Sequence, residues 1–151
     1  MNHISPLLTP DTNLLDLAFA SKKELFEHVG DALSRQHNLK SSDVFNSLAE
    51  RERLGSTALG YGIAIPHGRI KGLTRAAGVL YRLQSPLQFD APDQQPVSLC
   101  FVLLVPKEAN EEHLQILGEL AQLFGDESMR QRMLSAQSAA ELHALITAWV
   151  A

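Results

Sequence analysis

Six histidines stand in a chain of 151 residues, at positions 3, 28, 37, 67, 113 and 143. Imidazole binds metals, exchanges protons near neutral pH and, as the neutral ring, attacks as a nucleophile. None of the six forms an i, i+2 or i, i+4 pair, so none has the spacing of a metal site. With Cys100 the only cysteine, neither an internal disulfide nor a multi-cysteine metal site is open to the chain. His3, His28, His37 and His143 read as solvated or half-packed side chains, His28 at the edge of a helix's apolar stripe. His67 is different. In Gly62-Ile63-Ala64-Ile65-Pro66-His67-Gly68-Arg69 it is expected where a short apolar strand ends. Pro66 fixes its own φ and biases Ile65 toward an extended conformation, and Gly68 is expected to turn the chain sharply and leave the ring's face uncovered. With an unperturbed pKa near 6.5, roughly three quarters of such a ring is neutral at pH 7. From this context alone the alternative is a turn histidine held by local hydrogen bonds.

The glycines around it, Gly55, Gly60, Gly62, Gly68 and Gly72, invite a nucleotide reading that the spacing refuses. Gly55 to Gly60 is followed by Tyr61-Gly62, without the Lys and Ser/Thr of a phosphate-binding loop. A dinucleotide fingerprint starting at Gly60 would need a small residue where Ile65 stands, and it falls before a strand instead of after one. No Gly-x-Ser-x-Gly nucleophile elbow is present.

The elements that must position these residues follow from periodicity and caps. Ser21-Lys22-Lys23-Glu24 reads as a capping box for a helix over 22–36, with Leu25, Phe26, Val29 and Leu33 on its apolar face. Ser41 or Ser42 is expected to cap a second helix ending near Leu54, with Gly55 left-handed after it. Ala76 to Leu83 and Val97 to Val105 read as strands, with Pro86 to Asp93 an extended piece and turn between them. Asn110 is expected to cap a helix carrying His113, Leu114, Ile116, Leu117, Leu120, Ala121 and Phe124 up to Gly125. A short helix around Met129 to Leu134 and a last one opened by a Ser138–Glu141 capping box complete the chain. The first twenty or so residues read as a tied-down arm.

Helices, then strands, then helices predict an α/β fold: a small mixed sheet flanked by helices on both faces, in one domain over 1–151. Hydrophobic residues make up 45% and charged residues 20%, the composition of a globular chain. Thirteen Lys plus Arg against 17 Asp plus Glu leave a net charge of −4, the wrong sign for an electrostatic nucleic-acid binder. The start, Met1 to Pro6, has no basic region followed by an apolar run. The longest apolar run, Leu99 to Val105, is far short of the ~20 residues that span a bilayer. A cytoplasmic protein is the expectation, with Cys100 as core filler.

The block Arg51-Glu52-x-x-Gly55-Ser56-Thr57-x-x-Gly60-x-Gly62-Ile63-Ala64-Ile65-Pro66-His67-Gly68-Arg69 resembles the phosphorylation-site block of the fructose/mannitol-class enzyme IIA proteins. These belong to the phosphoenolpyruvate:sugar phosphotransferase system (PTS EIIA type-2). The Pro-His-Gly-Arg ending is most similar to the nitrogen-regulatory branch, enzyme IIA-Ntr. Phe89-Asp90-Ala91-Pro92 with Pro96-Val97 to Pro106, and the helix holding Glu112-His113-Leu114, resemble the next two blocks, so the likeness covers about 7–150.

The resemblance implies that His67 accepts a phosphoryl group from an HPr-like phosphocarrier of the NPr type, and that the phosphorylation state then regulates partner proteins. Transfer between two imidazoles needs in-line approach and donors for charge spread over three oxygens, with no metal or cofactor. His113, in the first turn of its helix, is expected to hydrogen-bond those oxygens. Arg51 matches the family's phosphate-contacting arginine, whose planar fork clamps two oxygens, with Arg69 and Arg53 as alternatives. Ser56, Thr57 and Gly68 are candidate phosphate-loop residues, or Ser56 and Thr57 only satisfy the turn. Glu52 is expected to orient Arg51 or the loop. Ile63, Ile65, Ile70 and Leu73 form either a docking patch for the carrier or core. Two other readings stay open: a sugar-specific enzyme IIA that passes its phosphoryl group to an enzyme IIB, and a non-catalytic binding module.

Overall fold

The computed structural model describes residues 2–108 and 111–150. Two 3-10 turns, Ser5–Leu7 and Pro10–Thr12, lead into β1 (Asn13–Leu17), followed by α1 (Lys22–His37) and α2 (Ser41–Arg53). Then come β2 (Ala58–Gly60), β3 (Ile63–Ala64), β4 (His67–Ile70), β5 (Ala77–Leu87) and β6 (Val97–Pro106). The chain finishes with α3 (Glu111–Gly125), α4 (Glu127–Ser135) and α5 (Ala139–Ala148). The sheet runs β1-β5-β6-β3-β2, with β4 also on β6. The β5–β6 pair is antiparallel, whereas β1 on β5 and both β3 and β4 on β6 are parallel.

Alternation along the central strand builds the two layers. Cys100, Val102 and Leu104 of β6 face α1 and α2, packing with Leu25, Val29 and Leu48. Leu99, Phe101, Leu103 and Val105 face the other way onto Ile116, Leu120, Phe124 and Ile146. This is the expected mixed sheet between helical layers. Cys100 is fully buried, and burial pushes its thiol pKa well up.

Several local expectations change. The arm contains β1, hidden from pattern reading because Asp16 sits at φ +61° and breaks the register. β5 runs through Pro86 to Leu87, which pairs with Val97. Neither Ser41 nor Ser42 caps α2. Its N-cap is Lys40, and Ser41 Oγ instead donates to Asp31 Oδ1 of α1 at 2.9 Å. Gly55 stands at φ +157°, at the edge of the extended region, while Asn38 closes α1 left-handed at φ +54°. Asp126 caps α4 and starts it before Met129. Asn110 lies outside the described residues. Ser21 and Ser138 cap their helices as expected, although Glu24 and Glu141 reach back to the N–H of Ala20 and Gln137, one residue before the caps. Ile63, Ile65, Ile70 and Leu73 are all buried, so the patch reading for them fails and they are core.

Candidate functional site

His67 does not end a strand. It opens β4. β3 and β4 share one register on β6, Ile63 opposite Leu99 and His67 opposite Leu103. The ladder breaks at Ile65–Pro66, where proline has no N–H to give. In the break Ile65 N donates to Thr57 O at 3.0 Å and Leu103 N donates to Pro66 O at 2.9 Å. Strand parity turns His67 and Arg69 toward the α3 layer and Gly68 and Ile70 toward α2.

Gly68 has a different duty from the expected sharp turn. A Cβ there would lie 2.2 Å from Ser47 Oγ, so the glycine lets α2 press onto β4. Ser47 Oγ donates to Arg69 O at 2.9 Å and seals that contact. The end of α2 thereby reaches the sheet edge, and α3 reaches it from the other face. Between them lies a cleft of about 510 Å³, with Arg51, His67, Arg69 and His113 in its wall.

The imidazole in that cleft is held in one form. His67 Nδ1 lies 2.9 Å from Ile65 O. A carbonyl oxygen only accepts, so Nδ1 carries the proton and Nε2 keeps its lone pair. Burial is the main cause lowering the His67 pKa, and Arg51 and His113 lower it further, while the Ile65 carbonyl and Glu52 pull the other way. The neutral ring is therefore favoured at pH 7. Arg51 Nη1 donates to Gly55 O at 2.8 Å, which holds the guanidinium over the loop after α2 and leaves other N–H groups of the fork to serve the cleft. Arg69 Nη1 donates to Lys107 O at 3.1 Å.

Three sequence candidates sit behind the cleft. Ser56 Oγ donates to Phe89 O at 2.6 Å, and Thr57 Oγ1 donates to Glu52 Oε1 at 2.5 Å. Glu52 also accepts from Lys22 Nζ at 3.1 Å, so it braces the loop instead of Arg51. Arg53 lines a separate hollow with Lys22 and Phe26. Pattern reading missed Glu50 and Leu54 in the cleft wall, which Leu114 of α3 also lines. Leu54 is 87% and Leu114 61% exposed, an apolar rim where Ile63, Ile65, Ile70 and Leu73 were one expectation for a docking patch. The available signal was that both leucines fall off the buried stripes of their helices.

Three of the four remaining histidines have structural partners. His3 Nδ1 pairs with Glu119, His28 Nδ1 lies 2.8 Å from Tyr81 Oη, and Asn13 Nδ2 lies 3.0 Å from His143 Nδ1. Among the described residues, no group of three or more His, Cys, Asp or Glu could hold a metal ion, and no helix is long and apolar enough to cross a membrane.

Comparison with known proteins agrees with this architecture. The family model described as "Phosphoenolpyruvate-dependent sugar phosphotransferase system, EIIA 2" matches residues 6–149. A "Nitrogen regulatory protein" of Pseudomonas aeruginosa is 37% identical over 147 residues, 97% of this chain and 96% of the relative. The crystal structure of nitrogen regulatory protein IIA-Ntr from Neisseria meningitidis superposes with a TM-score of 0.91 at 46% identity, covering 95% of this chain and 98% of the other. IIA mannitol from Escherichia coli superposes at 0.78 with 25% identity, covering 92% and 98%.

Proposed function

Because the chain belongs to the phosphoenolpyruvate-dependent sugar phosphotransferase system EIIA type-2 family, as a phosphoryl carrier of the nitrogen-regulatory kind, we propose that His67 is its acceptor and Nε2 the attacking atom. The observation that carries this is the Nδ1–H bond to Ile65 O, which leaves Nε2 unprotonated in a cleft flanked by Arg51 and His113.

The Nε2 lone pair attacks the phosphorus of the donor's phosphoimidazole. The donor's N–P bond breaks, and its electron pair returns to the donor ring. Nδ1–H of His67 stays on Ile65 O throughout, so no proton need be lost to make the nucleophile. Arg51 and His113 donate to the equatorial oxygens, where charge spreads in a loose transition state. Arg69 adds positive charge at the rim. Ser56 and Thr57 support the loop from behind, and Gly68 supports the site by letting α2 approach.

Proteins of this family work with phosphocarrier partners. The donor here is an HPr-like protein of the NPr type, which docks on the rim made by Leu54 and Leu114. Phosphorylation adds about −1.5 to −2 charges at one spot, and regulatory targets distinguish the two forms by that charge. A sugar-specific role is the second reading, favoured by the likeness to IIA mannitol. Cys100 is buried, so it is not itself an onward acceptor.

Incubation with phosphoenolpyruvate, enzyme I and the HPr-like carrier should yield one acid-labile, base-stable phosphoryl adduct by mass. No adduct, or one that survives His67→Ala, rejects the assignment. Rapid loss of the label to a fructose- or mannitol-type IIB would favour the sugar reading.

A further inference from the structure

Behind the cleft, a run of hydrogen bonds leads from a partly buried ion pair to the acceptor ring. The Glu52 side chain is only 7% exposed and meets Lys22 Nζ at 3.1 Å. Both of its oxygens accept from Thr57 N at 3.2 Å, and one takes the Thr57 hydroxyl at 2.5 Å. Thr57 O accepts from Ile65 N at 3.0 Å, and Ile65 O accepts from His67 Nδ1 at 2.9 Å. Lys22 Nζ also donates to Phe89 O at 3.2 Å, the oxygen that takes the Ser56 hydroxyl at 2.6 Å. The loop after α2 is thus pinned at successive residues, Ser56 and Thr57, to one lysine–glutamate pair.

A buried ion pair adds little net stability, because desolvating both charges offsets their attraction. What it adds well is geometry, since a carboxylate with two oxygens accepts several donors in fixed directions. We propose that Glu52, with Lys22 and Thr57, is a positioning residue for the phosphoryl transfer. It fixes the Thr57 carbonyl, which fixes Ile65, which holds His67 as the Nδ1–H tautomer with Nε2 in the cleft. The proposal rests on His67 as the acceptor, but its first readout does not require phosphorylation.

The choice of residue types fits this role. A glutamine at 52 keeps the size but replaces one acceptor oxygen with an N–H₂ that must face Lys22 or Thr57, both donors. A valine at 57 keeps the shape and removes the hydroxyl, whereas a serine restores it.

The test compares Glu52→Gln, Thr57→Val and Thr57→Ser with the wild type, using folded, unphosphorylated protein and ¹⁵N NMR of the imidazole above pH 7.5. Wild type shows a single Nδ1–H tautomer at His67. Glu52→Gln and Thr57→Val show the Nε2–H form mixing in, and Thr57→Ser returns to the wild-type spectrum. In transfer from the phosphorylated HPr-like carrier, Glu52→Gln slows the saturated rate by roughly ten- to a hundredfold. The half-saturating carrier concentration stays unchanged, since the rim is untouched. Should Glu52→Gln fail to fold, the Thr57 pair carries the comparison alone. A wild-type tautomer in Thr57→Val overturns the proposal, whatever the rate. If wild type itself takes no phosphoryl group, the acceptor reading fails, and the tautomer spectra still decide whether the relay holds the ring.

Discussion

His28 and His67 start from similar circumstances and end in different ones. Both rings are partly buried, both have Nδ1 hydrogen-bonded, both line a cleft, and burial lowers both pKa values. Their partners differ. Nδ1 of His28 meets the Tyr81 hydroxyl, which can donate or accept, so neither tautomer is imposed. Nδ1 of His67 meets a carbonyl, which imposes one. The surroundings differ too. The cleft beside His28, about 430 Å³, has Asp11 and Asp31 in its wall with Arg35, and Asp31 pulls the His28 pKa back up. The cleft beside His67 has Arg51, Arg69 and His113 in its wall with Glu50, and Arg51 and His113 push its pKa further down. Desolvation therefore does not separate a structural imidazole from the proposed phosphoryl acceptor. A fixed tautomer and converging cations do.

That contrast can be broken most sharply by exchanging the two roles. His67→Ala should abolish the adduct, and His28→Ala should leave it at wild-type occupancy; an adduct lost in both would erase the distinction. Next in size, Arg51→Ala should slow transfer by roughly a hundredfold, the scale of removing one preorganised donor to developing charge. Arg35→Ala, beside His28, should not change the rate. His113→Ala should still be phosphorylated at His67 but about tenfold more slowly, and an unchanged rate would remove His113 from the mechanism.

The pH profile sharpens the same contrast. Transfer needs neutral His67, whose pKa lies below 6.5, so the rate holds at neutral pH and falls as pH drops below that value. Arg51→Ala removes one of the lowering influences, so the inflection should move up, toward 6.5. A downward or absent movement would show that the arginine does not act on the ring. The smallest effect expected is that of Tyr81→Phe. It should lower unfolding stability by about 1 kcal/mol, through the lost hydroxyl–imidazole bond, and leave phosphorylation unchanged.

Much of this molecule was readable before its fold was known. The stripe Leu25, Phe26, Val29, Leu33 and the run Leu99 to Val105 marked the two layers and the central strand, because burial imposes a local period. The block ending Pro66-His67-Gly68-Arg69 singled out His67, the proposed acceptor. β1 escaped because Asp16 interrupts its alternation, and the break between β3 and β4 was read as an end because Pro66 looks terminal in one dimension. Glycine 68 was legible as special for the wrong reason. Its missing Cβ matters to Ser47 on another element, and no local pattern reports that.

What the sequence determined by itself is therefore the element types, the sheet-between-helices class and the candidate for the reacting group. The physical reason is that periodicity, caps and proline geometry are near-neighbour effects. Only the tertiary structure decided which cations meet that group, which of its nitrogens is free, and that Glu52 and Thr57 hold the loop from behind instead of facing the cleft. Those outcomes depend on α2 pressing on β4 while α3 approaches from the opposite face, and so on contacts between residues that the chain itself keeps far apart.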